Sequence, residues 1–151
     1  MSSSAPPPLM LLLREETRAL HEAAEQAGFM KDLMSWTLSR ERLVAAMGQL
    51  WLLHTGFNER LNRLRESDPA AARVLKDYHF LAPGLLRADL KFWECDPATH
   101  APAPRDGVRA FLAEADKWAE LDPPALLGMF YVLEGSLNRA KIIGARLREH
   151  F

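Results

Sequence analysis

The residues best suited to chemistry lie near the N-terminus, where five polar side chains recur at steps of three or four residues. They are Arg14, Thr17, Arg18, His21 and Glu25. On an α-helix these residues share one flank. Two guanidinium groups one turn apart can hold carboxylates, and a histidine one turn further on can offer a ring nitrogen to a metal. The glutamate can accept the other ring N–H and fix the tautomer. The pattern favours a ligand that has a metal centre and carboxylate arms, and heme is such a ligand.

The same spacing has a simpler interpretation. A single histidine on an amphipathic helix is commonly a surface or half-buried residue. The charged neighbours could form i,i+4 ion pairs in water, each worth about 0.3–0.5 kcal/mol. The spacing by itself leaves both interpretations open.

Composition limits the classes of function. The chain has 151 residues, 48% hydrophobic and 26% charged, and a net charge of −1, which fits one globular domain and offers no overall field to attract nucleic acid or an anionic membrane. The lone Cys95 excludes an internal disulfide and a zinc site of several thiolates. The apolar run 9–13 is too short to span a bilayer and lacks a basic leader. We therefore predict a cytoplasmic protein with no membrane span.

Apolar residues recur at helical period throughout, so the predicted fold class is all-α, a multi-helix bundle. Residues 1–8 form a disordered lead-in and 9–151 a single helical domain. We expect the first helix to end at Gly28 and Ser39 to cap the second. The six predicted helices cover roughly 9–27, 40–66, 69–77, 84–94 and 105–119, with the last starting at Asp122-Pro-Pro.

Four segments, in order, resemble the heme oxygenase family. Residues 13–25 are similar to the pattern L-[KR]-x-x-T-x-x-x-H-x-x-x-E of its proximal helix, and 39–61 continue in register. Residues 88–93 match another family segment. Residues 130–136, Phe-Tyr-Val-Leu-Glu-Gly-Ser, are similar to the start of the distal helix in bacterial, biliverdin-producing members. The resemblance covers roughly 10–148.

On the proximal side the resemblance implies roles for the residues of the first helix. His21 would be the ligand to the heme iron and Glu25 its orienting partner. Arg14 and Arg18 stand where the family places basic residues near the heme propionates. Thr17 belongs to the same heme-facing pattern.

On the distal side the resemblance implies a second set. Phe130 opens the distal helix beside the heme, Gly135 lets the backbone approach the ligand closely, and Ser136 takes a polar position. His54 stands where many members carry a tyrosine, and it could act as a polar group, a sixth iron ligand or a core-edge histidine. Arg139 departs from the family, since a small residue is usual there. It could point outward, or its stem could crowd the heme.

The family oxidises heme with O2 and electrons from an external donor, a reductase or ferredoxin, and yields biliverdin, CO and iron. Heme is both cofactor and substrate, so the resemblance favours an oxidoreductase enzyme. The alternative is a non-catalytic heme or tetrapyrrole binder: a carrier, a sensor or a degenerate paralogue. Arg139-Ala140 and the short stretch after the distal helix favour that alternative. A truncated chain, or a homo-oligomer that covers the gap, would explain the short end.

Two further hypotheses concern the function of the chain. A di-iron oxidase needs Glu-x-x-His pairs on facing helices, and no glutamate stands three residues before any of the five histidines. A purely structural helical module stays open as well.

Overall fold

The computed structural model describes residues 8–35, 37–99 and 102–133, excepting the side chains at 8–10 and 12–14. These residues fold into helices joined by turns and contain no strand, which confirms the predicted all-α class. The helices are α1 Pro8–Gln26, α2 Gly28–Met34, α3 Arg40–Ser67, α4 Pro69–Val74, α5 Ala82–Phe92, α6 Asp106–Leu121 and α7, described over 125–133. The chain divides into two compact units between Leu43 and Val44.

The first unit holds a helix that the sequence analysis missed. The prediction that a helix ends at Gly28 is wrong, because α1 ends at Gln26 and Gly28 begins α2. The chain leaves helical geometry at Ala27, whose φ of −58° and ψ of 140° are extended, and the Lys31 N–H then donates to the Ala27 carbonyl at 3.1 Å. Gly28 has no positive φ, so it starts a helix where a C-terminal glycine signal suggested an end.

The start of α3 is capped as predicted. The Arg42 backbone N–H donates to the Ser39 hydroxyl at 3.3 Å, which satisfies one of the amides that a helix start leaves without an internal partner. The Arg42 guanidinium pairs with Asp32 of α2. The two contacts join α2 to the first turn of α3 within the first unit.

The core of the second unit is built on one face of α3. Phe57, Leu61 and Leu64 recur at steps of four and three residues and are almost fully buried, so they line one helix face. The cluster that covers them adds Ala71, Leu75, Ala115 and Leu126. The Phe57 ring meets that of Phe111 edge to face, with centroids 5.3 Å apart. Elements α4, α6 and α7 all contribute to this core.

An ion pair joins α6 to α3 beside that core. The Arg60 guanidinium binds Asp116 through two nitrogens, with Nε to Oδ1 at 2.8 Å, and also donates to the Gly56 carbonyl at 2.7 Å. The hydrogen bond from Arg60 holds the pKa of the Asp116 carboxyl below its usual range. The paired geometry fixes the orientation of α6 on α3 as well as its distance.

The helices α4 and α5 differ from their predicted bounds. The Asp68 carboxylate caps α4 by accepting from the Ala70 N–H at 2.8 Å, but the helix ends at Val74 and not near residue 77. α5 begins at Ala82, two residues early, and ends at Phe92. Its end is set by Glu94, which takes a left-handed φ of 61°, a conformation that stops helix propagation.

Asp96 ties the turn after α5 back onto that helix. It accepts from Arg87 Nε at 3.0 Å and from the Ala98 N–H at 3.0 Å, and Lys91 Nζ lies 3.6 Å away. These partners, Arg87 first, lower the pKa of the Asp96 carboxyl to about 2. The turn is therefore held by an ionised carboxylate.

Within the described ranges, no helix is both long and apolar enough to cross a membrane.

Replacement of the buried core leucine should destabilise the second unit strongly. Leu61 is 0% exposed, and Leu61→Ala removes its methyl groups and leaves a cavity, so we expect the free energy of unfolding to fall by about 2–5 kcal/mol. Urea unfolding followed by circular dichroism measures it. Leu85→Ala, at a residue 63% exposed, should change it by no more than about 0.5 kcal/mol. Equal effects would contradict the assigned core.

The Asp96 turn should give the protein an acid-sensitive contribution to stability. Because the folded-state pKa lies below the ordinary 3.8, the contribution is present above pH 3.8 and is lost as the pH falls toward 2. We expect Asp96→Asn to lower the free energy of unfolding at pH 7 and to flatten its fall over that window. Denaturant titrations at several pH values measure this. Asp89→Asn, at an exposed aspartate of α5, is the control. An unchanged pH profile in Asp96→Asn would contradict the stabilising contact between Asp96 and Arg87.

Candidate functional site

The predicted proximal residues lie on one continuous helix. α1 runs without a break from Pro8 to Gln26, so the predicted steps of three and four residues bring the side chains to neighbouring positions on one face. His21, Arg18 and Glu25 are exposed and Thr17 is half-buried. His21 stands about one turn, about 6 Å along the axis, from Thr17 and from Glu25.

Two exposed leucines of α1 border these polar groups. Leu20, directly before His21, is 73% exposed, and Leu11 on the same helix is 49% exposed. Nine residues separate Leu11 from Leu20, so the two side chains lie on opposite sides of α1, beyond the two edges of the polar flank. The α1 face therefore combines an imidazole and a guanidinium with an apolar border, which suits a flat, largely apolar ligand with anionic arms.

Some predicted residues cannot be placed. The backbone of Arg14 belongs to α1, one turn before Arg18, but its side chain is among those not described. Gly135, Ser136 and Arg139 lie outside the described residues. Their predicted roles stay predictions.

His54 lies inside the second unit. It is 6% exposed and precedes Phe57 by three residues and Leu61 by seven, so it extends the apolar stripe of α3 by one position. This burial favours the core-edge histidine among the three alternatives. Its predicted distal role is not tested. On the adjoining face of α3, Thr55 Oγ1 and Asn62 Oδ1 are buried and have no hydrogen-bond partner among the described residues.

Phe130 of α7 is held by other aromatic rings. Its ring meets that of Tyr78 edge to face, with centroids 4.6 Å apart and planes at 78°. Tyr78 in turn meets Phe80 at 4.8 Å and 89°. Phe130 also packs against the buried cluster of the second unit. The predicted contact of Phe130 with a ligand stays a prediction, and its described role is packing.

Tyr78 is the residue that sequence reasoning passed over. It stands in the 75–81 loop, which was predicted in part as helix, and no spacing rule relates it to Phe130, 52 residues later in the chain. The signal was the local run Tyr78-His79-Phe80. Two aromatic residues that alternate just after a helix end suggest a packed loop, without naming its partner.

In the part of the chain that the structure describes, no three histidine, cysteine, aspartate or glutamate side chains gather into a metal-binding group. A single histidine on α1 can still serve as an axial ligand where the ligand molecule itself carries the metal.

Comparison with known proteins identifies a family for the chain. A family model described as heme oxygenase matches residues 8–143. Heme oxygenase 1 of Homo sapiens is 30% identical over 90 residues, which cover 60% of this chain and 31% of the human protein, and the figures for the Pongo abelii protein are the same. The Bos taurus protein is 29% identical over 91 residues, 60% of this chain and 31% of its own length. No solved structure matches the chain significantly.

The chain thus matches about a third of the length of those relatives. The family model, in contrast, matches nearly the whole of this chain. Because that match spans residues 8–143 of 151, the chain belongs to the heme oxygenase family.

Proposed function

We propose that this protein binds heme with His21 as the axial ligand to the iron, and oxidises it with O2 and electrons from an external donor to biliverdin, CO and iron. The observation that carries the proposal is the exposed His21, one turn from the exposed Arg18 and Glu25 on an unbroken α1, in a chain of the heme oxygenase family.

The residues of α1 fit heme in three respects. A heme iron takes a histidine nitrogen as axial ligand, and the His21 side chain is exposed to supply one. The porphyrin plane is apolar, and Leu20 offers uncovered apolar surface next to that histidine. The propionates are anionic, and the exposed Arg18 lies one turn away, where charge-assisted hydrogen bonds can form.

Bound heme supplies the redox centre for O2 chemistry and the carbon framework that is oxidised. The protein's part is binding and orientation. Glu25, four residues after His21 on the same helix, would accept the second ring N–H and keep the other nitrogen directed at the metal. Arg18 and Arg14 would hold the propionates and so fix the rotation of the porphyrin in its plane. That rotation decides which ring edge faces the reaction.

On the distal side the proposal keeps the roles that the resemblance implies. Gly135 would admit the backbone close to the substrate and Ser136 would supply a polar group. The proposal gives His54 no distal role, because its burial favours the core-edge alternative. We also propose that an external reductase or ferredoxin supplies the electrons. The protein would act in the cytoplasm and would self-associate.

A non-catalytic heme binder is the second candidate, and one feature favours it. Arg139 and Ala140 stand where the family usually places a pair of glycines. A side chain at that position can obstruct approach to the heme, which would leave binding intact and prevent turnover. In this case His21 would keep its role as ligand.

Loss of the histidine should remove the axial ligand. We expect His21→Ala to bind hemin roughly tenfold or more weakly, which corresponds to at least 1.4 kcal/mol, and to lose the Soret spectrum of a histidine-ligated heme. Hemin titration followed by absorbance measures both. His79→Ala, at an exposed histidine of the second unit, should bind like the wild type. Unchanged binding in His21→Ala would overturn the ligand assignment.

Turnover separates the enzyme from the carrier. With a reductant in air, the wild-type complex should lose its Soret band while biliverdin absorbance grows. A Soret band that persists with reductant and O2 supports the non-catalytic binder.

The arginine on the same face should affect affinity without affecting ligation. Arg18→Gln removes one exposed charge worth up to about 1 kcal/mol, so we expect hemin binding to weaken about three- to fivefold with an unchanged Soret position. Arg73→Gln, at an exposed arginine on α4, is the matched control. A smaller salt dependence of binding in Arg18→Gln than in Arg73→Gln would identify the lost contact as electrostatic. Equal affinities in both variants would count against Arg18.

A further inference from the structure

We infer that the outward side of α5 is a self-association surface, through which two copies of this chain pair with their α5 helices parallel. This α5 stripe consists of Leu81, Leu85, Ala88 and Phe92. The inference rests on the self-association within the proposed function and names its surface, whereas heme binding at His21 does not depend on it.

The residues of the α5 stripe lie on one side of the helix, because they recur at steps of four, three and four residues. Leu81 continues the helical backbone: its φ is −72° and its ψ −24°, and its carbonyl accepts from the Leu85 N–H at 3.1 Å. The stripe is therefore three turns, or about 16 Å, long. Leu81 and Leu85 are each 63% exposed and Phe92 is 78% exposed.

The opposite side of α5 is apolar as well, and that side is the buried one. Leu90 lies about half a turn around the helix from the stripe and is only 2% exposed, and Leu86 beside it is half-buried. A surface helix ordinarily presents polar side chains to water opposite its buried side. Because α5 presents two leucines and a phenylalanine there, it has the composition of a helix that is covered on both sides.

The size of the stripe sets the strength of the contact. Its exposed apolar area is on the order of 400 Å², the size of a patch that is often functional. Two copies that cover each other's stripe would bury about 800 Å² in total, which is the range of weak, transient protein pairs. We therefore expect a dimer with a Kd on the order of 100 µM, and a monomeric chain at the micromolar concentrations of unfolding experiments.

The charges on the two edges of the stripe have opposite signs. On one edge, Arg87 and Lys91 are about half exposed and share the single carboxylate of Asp96, so that this edge keeps an excess of positive charge. The other edge carries the exposed carboxylate of Asp89. A surface with one positive and one negative edge can be complementary to a second copy of itself.

The signs of the edges select the orientation of the pair. In a twofold pair of parallel helices, the positive edge of each copy lies beside the negative edge of the other. Asp89 follows Arg87 and precedes Lys91 by two residues, so in an unstaggered pair it lies within about 3 Å, along the axis, of both cations of the other copy. An antiparallel pair would bring edges of the same sign together, which is unfavourable.

Sedimentation of the heme-free full chain, from about 0.01 to 1 mM so as to bracket the expected Kd, tests the apolar contact. We expect the wild type to dimerise as its concentration rises. Leu85→Glu should dimerise about tenfold or more weakly, because it places a carboxylate in an apolar contact. The matched control is Leu121→Glu, at a leucine of α6 that is 69% exposed, and it should dimerise like the wild type. A wild type that stays monomeric, or a Leu85→Glu that dimerises normally, would overturn the inference.

Charge exchange tests the parallel orientation. Asp89→Lys and Lys91→Glu each replace both ion pairs of the dimer by like-charge contacts, so we expect each variant to dimerise about three- to tenfold more weakly. The variant that carries both changes restores the ion pairs only if the helices are parallel, and it should dimerise within about threefold of the wild type. An exchange variant that folds but remains as weak as the single variants would contradict the parallel pair.

Cross-linking tests the same orientation without a change of charge. In the parallel pair the two copies of position 81 are neighbours, whereas an antiparallel pair centred on the stripe separates them by about 16 Å. We expect Leu81→Cys, made in a Cys95→Ser background, to form a disulfide-linked dimer under mild oxidation. Leu121→Cys in the same background is the control. Equal cross-linking of the two variants would contradict the parallel pair.

Hemin titration separates this inference from the heme site. Since Leu85→Glu leaves α1 unchanged, it should bind hemin within about threefold of the wild type. Loss of hemin binding in Leu85→Glu would contradict the independence of the two surfaces. A wild type that fails to bind hemin would refute the proposed function, and sedimentation would still decide whether α5 joins two copies of the chain.

Discussion

Burial of one face of α3 is the constraint on which the second unit depends. The stripe of Phe57, Leu61 and Leu64 can leave water only if other helices cover it. Two of the covering helices are short: α4 has six residues and the described part of α7 has nine. Short helices have little stability of their own, so they depend on this contact to form. The Asp68 cap fixes where α4 begins.

Polar contacts then determine how the covering elements are oriented. Arg60 sets α6 through its bond to Asp116, and Asp96 fixes the turn after α5. At α7 the directional contact is between aromatic rings, since Tyr78 meets Phe130 edge to face. Apolar burial supplies most of the free energy that favours folding, whereas directional groups of this kind select one geometry. Such selection is required if a helix is to present particular residues to a substrate.

α1 shows the opposite behaviour. It keeps a continuous helical backbone, yet Leu20 remains largely exposed next to an exposed His21. A helix that leaves apolar surface in water has free energy available for binding a ligand that covers it. The exposed leucine of α1 is therefore available for the proposed contact with heme.

Sequence reasoning predicted the all-α class, the cap at Ser39 and the shared face of Arg18, His21 and Glu25, because these depend on local spacing. It failed where tertiary contacts decide. Ala27 takes an extended conformation that no propensity forbids or demands, so α2 was missed. The Tyr78 contact joins residues far apart in the chain, which periodicity cannot detect. The burial of His54 likewise depends on what covers α3 and not on its own neighbours.

The identity of the axial ligand is tested most directly by resonance Raman spectroscopy of the ferrous heme complex. We expect an iron–histidine stretching band, sensitive to the iron isotope, in the wild type and in His79→Ala, and its loss in His21→Ala. An unchanged band in His21→Ala would show that another residue binds the iron and would contradict the assignment of α1 as the proximal helix.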